Sequence, residues 1–240
     1  MGRSHEKNKF NTKAPNGVVK MKIKAVILLS GGLDSTVAGY ICKEQGMELY
    51  ALTFNYGQRH VKEIEAAKTI AKLLNVKEHK ILDISFLKDI TINSSLTNPE
   101  IKMEENRTPE EMTNIPSMFV PGRNLIFLSI ACSYAINVGA TVICFGSNQL
   151  DFSGYPDCRT SFFRAMDNVM YEATREPVVV FTPLQFRTKV EIIKEGLRLN
   201  APLSLTWSCY KGGDKPCGVC DACILRKKAF EEINAESVEK

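Results

Sequence analysis

The chain has 240 residues, 44% apolar and 24% charged, which fits one large globular domain or one domain with a small attachment. Its net charge of +4 resides in the first 20 residues, which hold five Lys/Arg and one Glu; the other 220 carry 26 of each sign. A neutral body offers no electrostatic footing for a nucleic-acid partner, and an apolar run of at most five residues is far below the roughly 20 needed to span a bilayer.

No apolar stretch follows the N-terminal basic residues, so no signal peptide is expected and the cytoplasm is the expected location. Residues 1–20 are Lys- and Asn-rich without periodicity and read as a disordered basic tail, with Met21 a candidate start.

Ala25 to Leu29 read as a strand that is apolar on both faces, as in a parallel sheet covered by helices. Ser30-Gly31-Gly32-Leu33-Asp34-Ser35-Thr36 then forms a tight loop, and Val37, Ala38, Ile41 and Cys42 carry helical spacing. The unpartnered N–H groups and the dipole of a helix start form an anion site. Ser30, Ser35 and Thr36 add hydroxyls, and Gly31 and Gly32 allow close approach. The loop lacks the Gly-Lys of a Walker motif, and there is no Gly-x-Gly-x-x-Gly fingerprint. It resembles the Ser-Gly-Gly-x-Asp-Ser signature of the PP-loop ATP pyrophosphatases, which grip the β,γ-pyrophosphate of ATP and release it as AMP is transferred. A glycine turn without a ligand is the competing reading. Leu29, Ser30, Gly31, Gly32, Leu33, Asp34, Ser35, Thr36 and Val37 are the candidate ATP-contacting residues.

Further along, Gly46 is a plausible helix end, Glu48 to Phe54 a second strand, and Val76 to Leu82 a third. Between the last two, a helix ends at Leu74, its apolar face set by Val61, Ile64, Ala67, Ala71 and Leu74. The loop Tyr56–His60 falls at a strand end, where ligands of open α/β sheets bind. His60 alone reads more readily as a surface residue than as a base. Residues 84–117 show weak periodicity and are expected to form a short helix and a mobile loop.

Val120-Pro121-Gly122-Arg123-Asn124 opens a helix over 125–138, with Asn124 the expected N-cap. Thr141 to Phe145 is a fourth strand. The loop Gly146–Thr160 holds two Asp, two aromatics and an Arg, a composition suited to a planar ligand, although a turn-rich connection would look similar. A helix over 161–174 and a fifth strand over 178–181 follow, then a helix capped by Thr188. Lys189 lies in that helix's first turn, where a cation opposes the dipole and calls for a partner such as a phosphate; solvation is the alternative.

Cys209, Cys217, Cys220 and Cys223 fall within 15 residues as C-x7-C-x2-C-x2-C. Such a thiolate set usually holds one structural zinc ion, with no coordination position left open. Disulfides and an iron–sulfur cluster are the competitors, the former disfavoured in the cytosol. The site is expected to pin the preceding loop and a final helix over 222–233.

These motifs together resemble the 7-cyano-7-deazaguanine synthase (QueC) family from about Lys24 to Phe230. The resemblance rests on the Ser30–Thr36 loop, Tyr56-Gly57-Gln58-Arg59-His60, Val120–Asn124, Ser153-Gly154-Tyr155-Pro156-Asp157-Cys158-Arg159 and Leu205–Tyr210 with the later cysteines. Asn55 and Phe152 depart from the pattern, where Asp and Tyr are the more usual residues. The resemblance implies a five-stranded parallel doubly wound α/β domain, adenine nucleotide α-hydrolase-like, over 21–200. A small zinc-binding segment over 201–240 completes it. It also implies conversion of 7-carboxy-7-deazaguanine, ammonia and ATP to 7-cyano-7-deazaguanine in queuosine or archaeosine biosynthesis. Asp34 is then expected to position Mg²⁺, Arg123 and Lys189 to clamp phosphates, and Tyr56, Gln58, Arg59, Tyr155 and Asp157 to contact the substrate. An Asp or Glu facing the pocket is expected to read the guanine-type edge. A homodimer is compatible with the pattern. The rivals are a PP-loop tRNA-modifying adenylating enzyme and a zinc-stabilised nucleotide-binding regulator without turnover.

Overall fold

The computed structural model describes residues 22–233 apart from His60, Val61 and Pro109, together with all their side chains but those of Phe152 and Ser153. The expectations for residues 1–20, Met21 and His60 lie outside the described residues. Five strands form the sheet: β1 (Lys24–Leu28), β2 (Glu48–Asn55), β3 (His79–Asp83), β4 (Val142–Cys144) and β5 (Val179–Phe181). Their order is β3-β2-β1-β4-β5, and every neighbouring pair is parallel. The chain winds outward from β1 to β3, then returns to the other side of β1 to place β4. That reversal opens a crevice at the carboxyl ends of β1 and β4, where open parallel sheets bind ligands.

The helices are α1 (Leu33–Glu44), α2 (Lys62–Leu74), α3 (Leu87–Ile90), α4 (Arg123–Val138), α5 (Gln149–Gly154), α6 (Thr160–Thr174), α7 (Lys189–Arg198) and α8 (Asp221–Glu232). Alternate residues of β1 feed two cores. Ala25 and Ile27 pack with Val37, Ile70, Ile192 and Phe230, so α1, α2, α7 and α8 cover one face. Val26 and Leu28 pack with Leu128, Ala131, Phe163 and Met166, so α4 and α6 cover the other. A strand buried on both sides reads as an unbroken apolar run, which is what Ala25–Leu28 is. No helix among the described residues is long and apolar enough to cross a membrane.

Three local expectations are corrected. β3 begins at His79 rather than Val76, because Asn75 takes a left-handed conformation (φ 59°) and the Val76 N–H still closes onto the Ala71 carbonyl at the end of α2. Asn124 lies inside α4; Gly122, at φ 73°, starts the helix instead. Residues 84–117 are packed rather than free: Ser94 and Ser95 are fully buried, and Ser94 and Thr97 hydrogen-bond within the segment. Such side-chain-to-backbone bonds replace helix or strand periodicity, which is why the pattern was weak.

Candidate active site

The crevice holds a cavity of about 280 Å³. One wall is the loop between β1 and α1. Gly32 caps α1 without a side-chain bond, so the N–H groups of the first turn have no intrahelical partner. The Ser30 and Ser35 hydroxyls lie 3.0 Å apart, and the Gly32 N–H donates to Ser30 Oγ at 3.2 Å. Gly31 (φ 82°) presses against the first turn of α2, where a Cβ would overlap the Glu63 carbonyl and come within 2.6 Å of the Ala67 nitrogen. Gly146 does the same from β4, where a Cβ would lie 2.8 Å from the Ser35 nitrogen. The turn therefore needs both glycines for their size.

Asp34 and Lys189 meet across this wall. The Lys189 ammonium donates to both Asp34 oxygens at 2.8 and 2.7 Å, and Asn148 Nδ2 donates to one of them at 3.1 Å. The partner that Lys189 requires at the start of α7 is thus Asp34. Asn148 also caps α5, accepting from the Leu150 and Asp151 N–H groups, while Asp151 Oδ2 accepts from the Asn148 N–H. Burial and the nearby Asp34 charge push Asp151 up to about 6, against the pull of Lys189.

A second wall is aromatic. Phe54 and Phe127 stack with ring centres 4.2 Å apart, and the Arg123 guanidinium sits 5.5 Å from the Tyr56 ring and 5.8 Å from Phe127. Burial pushes the Tyr56 hydroxyl up to about 12, so the ring stays neutral beside that cation. Glu63 joins this wall from the first turn of α2; burial pushes it up to about 7, opposed by the Gln58 hydrogen bond and by Arg123. Tyr155 and Tyr210 line the remaining side, and burial raises both phenols.

Leu29, Ser30, Gly32, Leu33, Asp34, Ser35, Arg123 and Lys189 reach the cavity. Gly31 faces α2, while Thr36 and Val37 are fully buried in α1, Thr36 donating to the Gly32 carbonyl at 2.8 Å. Of the five residues expected to touch substrate, Tyr56 and Tyr155 line the wall. Gln58 stands behind it. Arg59 points away, donating to the Asn98 and Ile101 carbonyls at 2.9 and 2.7 Å. Asp157 is buried at the start of α4, accepting from the Asn124 N–H at 3.4 Å.

The four cysteine sulfurs of the C-terminal arm lie within 4.8 Å of one another, with Cys217 and Cys223 4.0 Å apart. None of the four is in a disulfide. Metal–sulfur bonds of about 2.3 Å in a tetrahedron bring sulfurs about this close, so the set fits a metal ion. The N–H groups of Cys217 and Cys220 donate to the Cys209 and Cys217 sulfurs, respectively, at 3.4 Å each. The arm touches the cavity directly: Trp207 lines it, its backbone N–H donates to the Gly31 carbonyl at 2.9 Å, and its indole N–H donates to the Cys209 carbonyl at 2.9 Å.

Residues 24–234 match the model of the family described as Queuosine biosynthesis protein QueC. A 7-cyano-7-deazaguanine synthase of Oceanobacillus iheyensis is 47% identical over 88% of this chain and 95% of that protein. Those of Trichodesmium erythraeum and Thermoplasma volcanium are 48% and 44% identical, each over 88% of this chain, and over 97% and 88% of their own lengths. The chain belongs to the QueC family. Its fold is shared more widely: an NMN synthetase structure from Francisella tularensis matches 91% of this chain and 74% of its own at 15% identity, with a TM-score of 0.50.

In this QueC-family chain, the sequence did not single out Glu63 or Phe127 as cavity residues, and it placed Asn148 and Asp151 only within a loop suited to a planar ligand. Glu63 and Phe127 sit inside helical patterns where they read as ordinary face residues. Asn148 was legible only as loop; the Asn-x-x-Asp spacing of a capping box was the available signal.

Proposed function

We propose that the protein converts 7-carboxy-7-deazaguanine to 7-cyano-7-deazaguanine in the cytoplasm, using ATP and ammonia. The supporting observation is that a single cavity joins the anion-accepting start of α1 to an aromatic wall carrying Arg123 and Glu63. A carboxylate is a poor electrophile because its oxygen leaves badly. Its attack on the α-phosphorus of ATP breaks the Pα–O bond, releases pyrophosphate and forms an acyl-adenylate. Ammonia then displaces AMP, giving the amide after loss of a proton. Attack of the amide oxygen on a second ATP releases pyrophosphate again. Loss of AMP and the N–H protons leaves the nitrile.

This chain's part in the reaction is positioning and charge stabilisation. Ser30, Ser35 and the free N–H groups of the α1 start hold the pyrophosphate. Lys189 exchanges Asp34 for a phosphate, and Arg123 neutralises charge on the acid or phosphate beside the aromatic wall. Asp34, released by Lys189, is placed to hold Mg²⁺. Bound Mg²⁺ supplies charge neutralisation at the phosphates, and bound Zn²⁺ on Cys209, Cys217, Cys220 and Cys223 supplies a structural crosslink. The neutral body favours this reading over a tRNA-modifying enzyme.

Mass spectrometry of reactions containing 7-carboxy-7-deazaguanine, ATP and ammonium is the test. Amide and nitrile should appear with AMP, and Asp34→Asn should lower turnover by about 100-fold or more with its fold intact. Release of ADP, or no heterocyclic product, would overturn the assignment.

A further inference from the structure

Three carboxylates line the cavity, and two already have strong partners. Asp34 is paired with Lys189, and Asp151 is turned back onto its own helix through the Asn148 N–H. Glu63 differs. Its Oε1 accepts from Gln58 Nε2 at 2.9 Å, and among the described residues no second hydrogen bond reaches the carboxylate.

Gln58 holds that carboxylate in one pose. Its Oε1 accepts from the Tyr56 N–H at 2.8 Å, which must be a donor, and its Nε2 donates to the Phe54 carbonyl at 3.2 Å, which must be an acceptor. The amide therefore has one orientation, and its remaining N–H is committed to Glu63. One Glu63 oxygen is pinned and the other is left to a ligand. Through Gln58 it is tied to the Phe54 and Tyr56 backbone, and the packed Phe54, Tyr56 and Phe127 rings line the same cavity. A planar heterocycle against those rings would satisfy the carboxylate with its edge.

The edge must offer donors only. A 2-amino-4-oxopyrimidine presents a ring N–H and an exocyclic NH₂ side by side, matching two carboxylate oxygens. Two ligand donors stabilise the ionised form of the carboxylate, whereas adenine presents one amino group beside a ring-nitrogen lone pair, which that form repels. We infer that Glu63 selects the heterocyclic substrate by accepting both N–H donors of its 2-amino-4-oxopyrimidine edge, and that Gln58 positions Glu63 for that contact. This assignment rests on the synthase reading above and names the residue that separates the deazaguanine from the adenine of ATP within one cavity.

The test measures kcat and KM of wild type, Glu63→Gln and Gln58→Ala for 7-carboxy-7-deazaguanine, for ATP, and for the analogue lacking the 2-amino group, 7-carboxy-7-deazahypoxanthine. Glu63→Gln should raise KM for the heterocycle about 100-fold and leave KM for ATP within about threefold, because a charge-assisted bidentate contact is lost. Gln58→Ala should shift the same KM about 10-fold. Removing the 2-amino group should penalise wild type about 100-fold but Glu63→Gln less than about 10-fold, a coupling that a merely structural role would not produce. An unchanged heterocycle KM in Glu63→Gln, or a rise confined to ATP, overturns the inference. If Glu63→Gln does not fold, wild type alone decides: equal KM for substrate and analogue overturns it. A wild type that makes no nitrile fails the synthase reading instead. Calorimetric binding of 7-carboxy-7-deazaguanine to wild type and Glu63→Gln would then still decide the role of Glu63.

Discussion

Glu63 illustrates how a binding group is held ready at a cost to the fold. An acid whose folded pKa of about 7 exceeds its ordinary 4.5 binds more protons when folded. Its contribution to stability is therefore full below pH 4.5 and lost as pH rises through 7. The groups facing it are Arg123 from α4, which favours the charge, and the neutral Gln58 and Tyr56. Glu63→Gln should accordingly raise the Tm of the ligand-free protein by a few degrees at pH 8 and by almost nothing at pH 5. Calorimetric scans at the two pH values check this, and equal shifts at both would exclude ionisation as the cause. The Asp34–Lys189 pair is also poised, but differently. Each neutralises the other, so neither charge is left bare on the cavity wall.

Among the elements, the segment over 84–117 and helix α8 act as one unit. Arg107 Nε and Nη2 donate to Asp221 at 3.0 and 2.5 Å, with side chains only 12% and 9% exposed, and the Asn106 N–H donates to the Val219 carbonyl. Breaking one side of such a buried pair leaves an uncompensated charge, at about 3 kcal/mol or more. Arg107→Ala should lower Tm by roughly 6–12 °C on that scale, whereas Arg175→Ala, from an exposed pair with Glu172, should leave it nearly unchanged. Thermal unfolding of the two variants side by side makes the comparison. The α4 start shows the same dependence on distant chain: its Asn124 N–H is satisfied by Asp157, 33 residues later, instead of by a local cap.

For the molecule as a whole, the cysteine arm and the loop between β1 and α1 are joined through Trp207 and Gly31. Metal in the thiolate set should therefore stabilise the fold and shape the loop together. Cys220→Ser should lose bound zinc by elemental analysis, melt several degrees lower and bind ATP more weakly; full zinc content would overturn its place among the ligands. The sequence alone determined the strands and the make-up of the turn after β1, because both are local. Apolar runs mark β1 and β2, glycines and serines mark the turn after β1, and cysteine spacing marks the metal set. Only the tertiary structure decided which polar residues share the cavity. Arg59 and Asp157 carry suitable chemistry yet lie off the cavity lining, Arg59 donating to backbone carbonyls and Asp157 buried at the start of α4, while Glu63 and Asn148 reach the cavity from a helix face and a cap. Which way a polar side chain turns depends on donors and acceptors that the fold brings from remote segments, and no spacing along the chain encodes them.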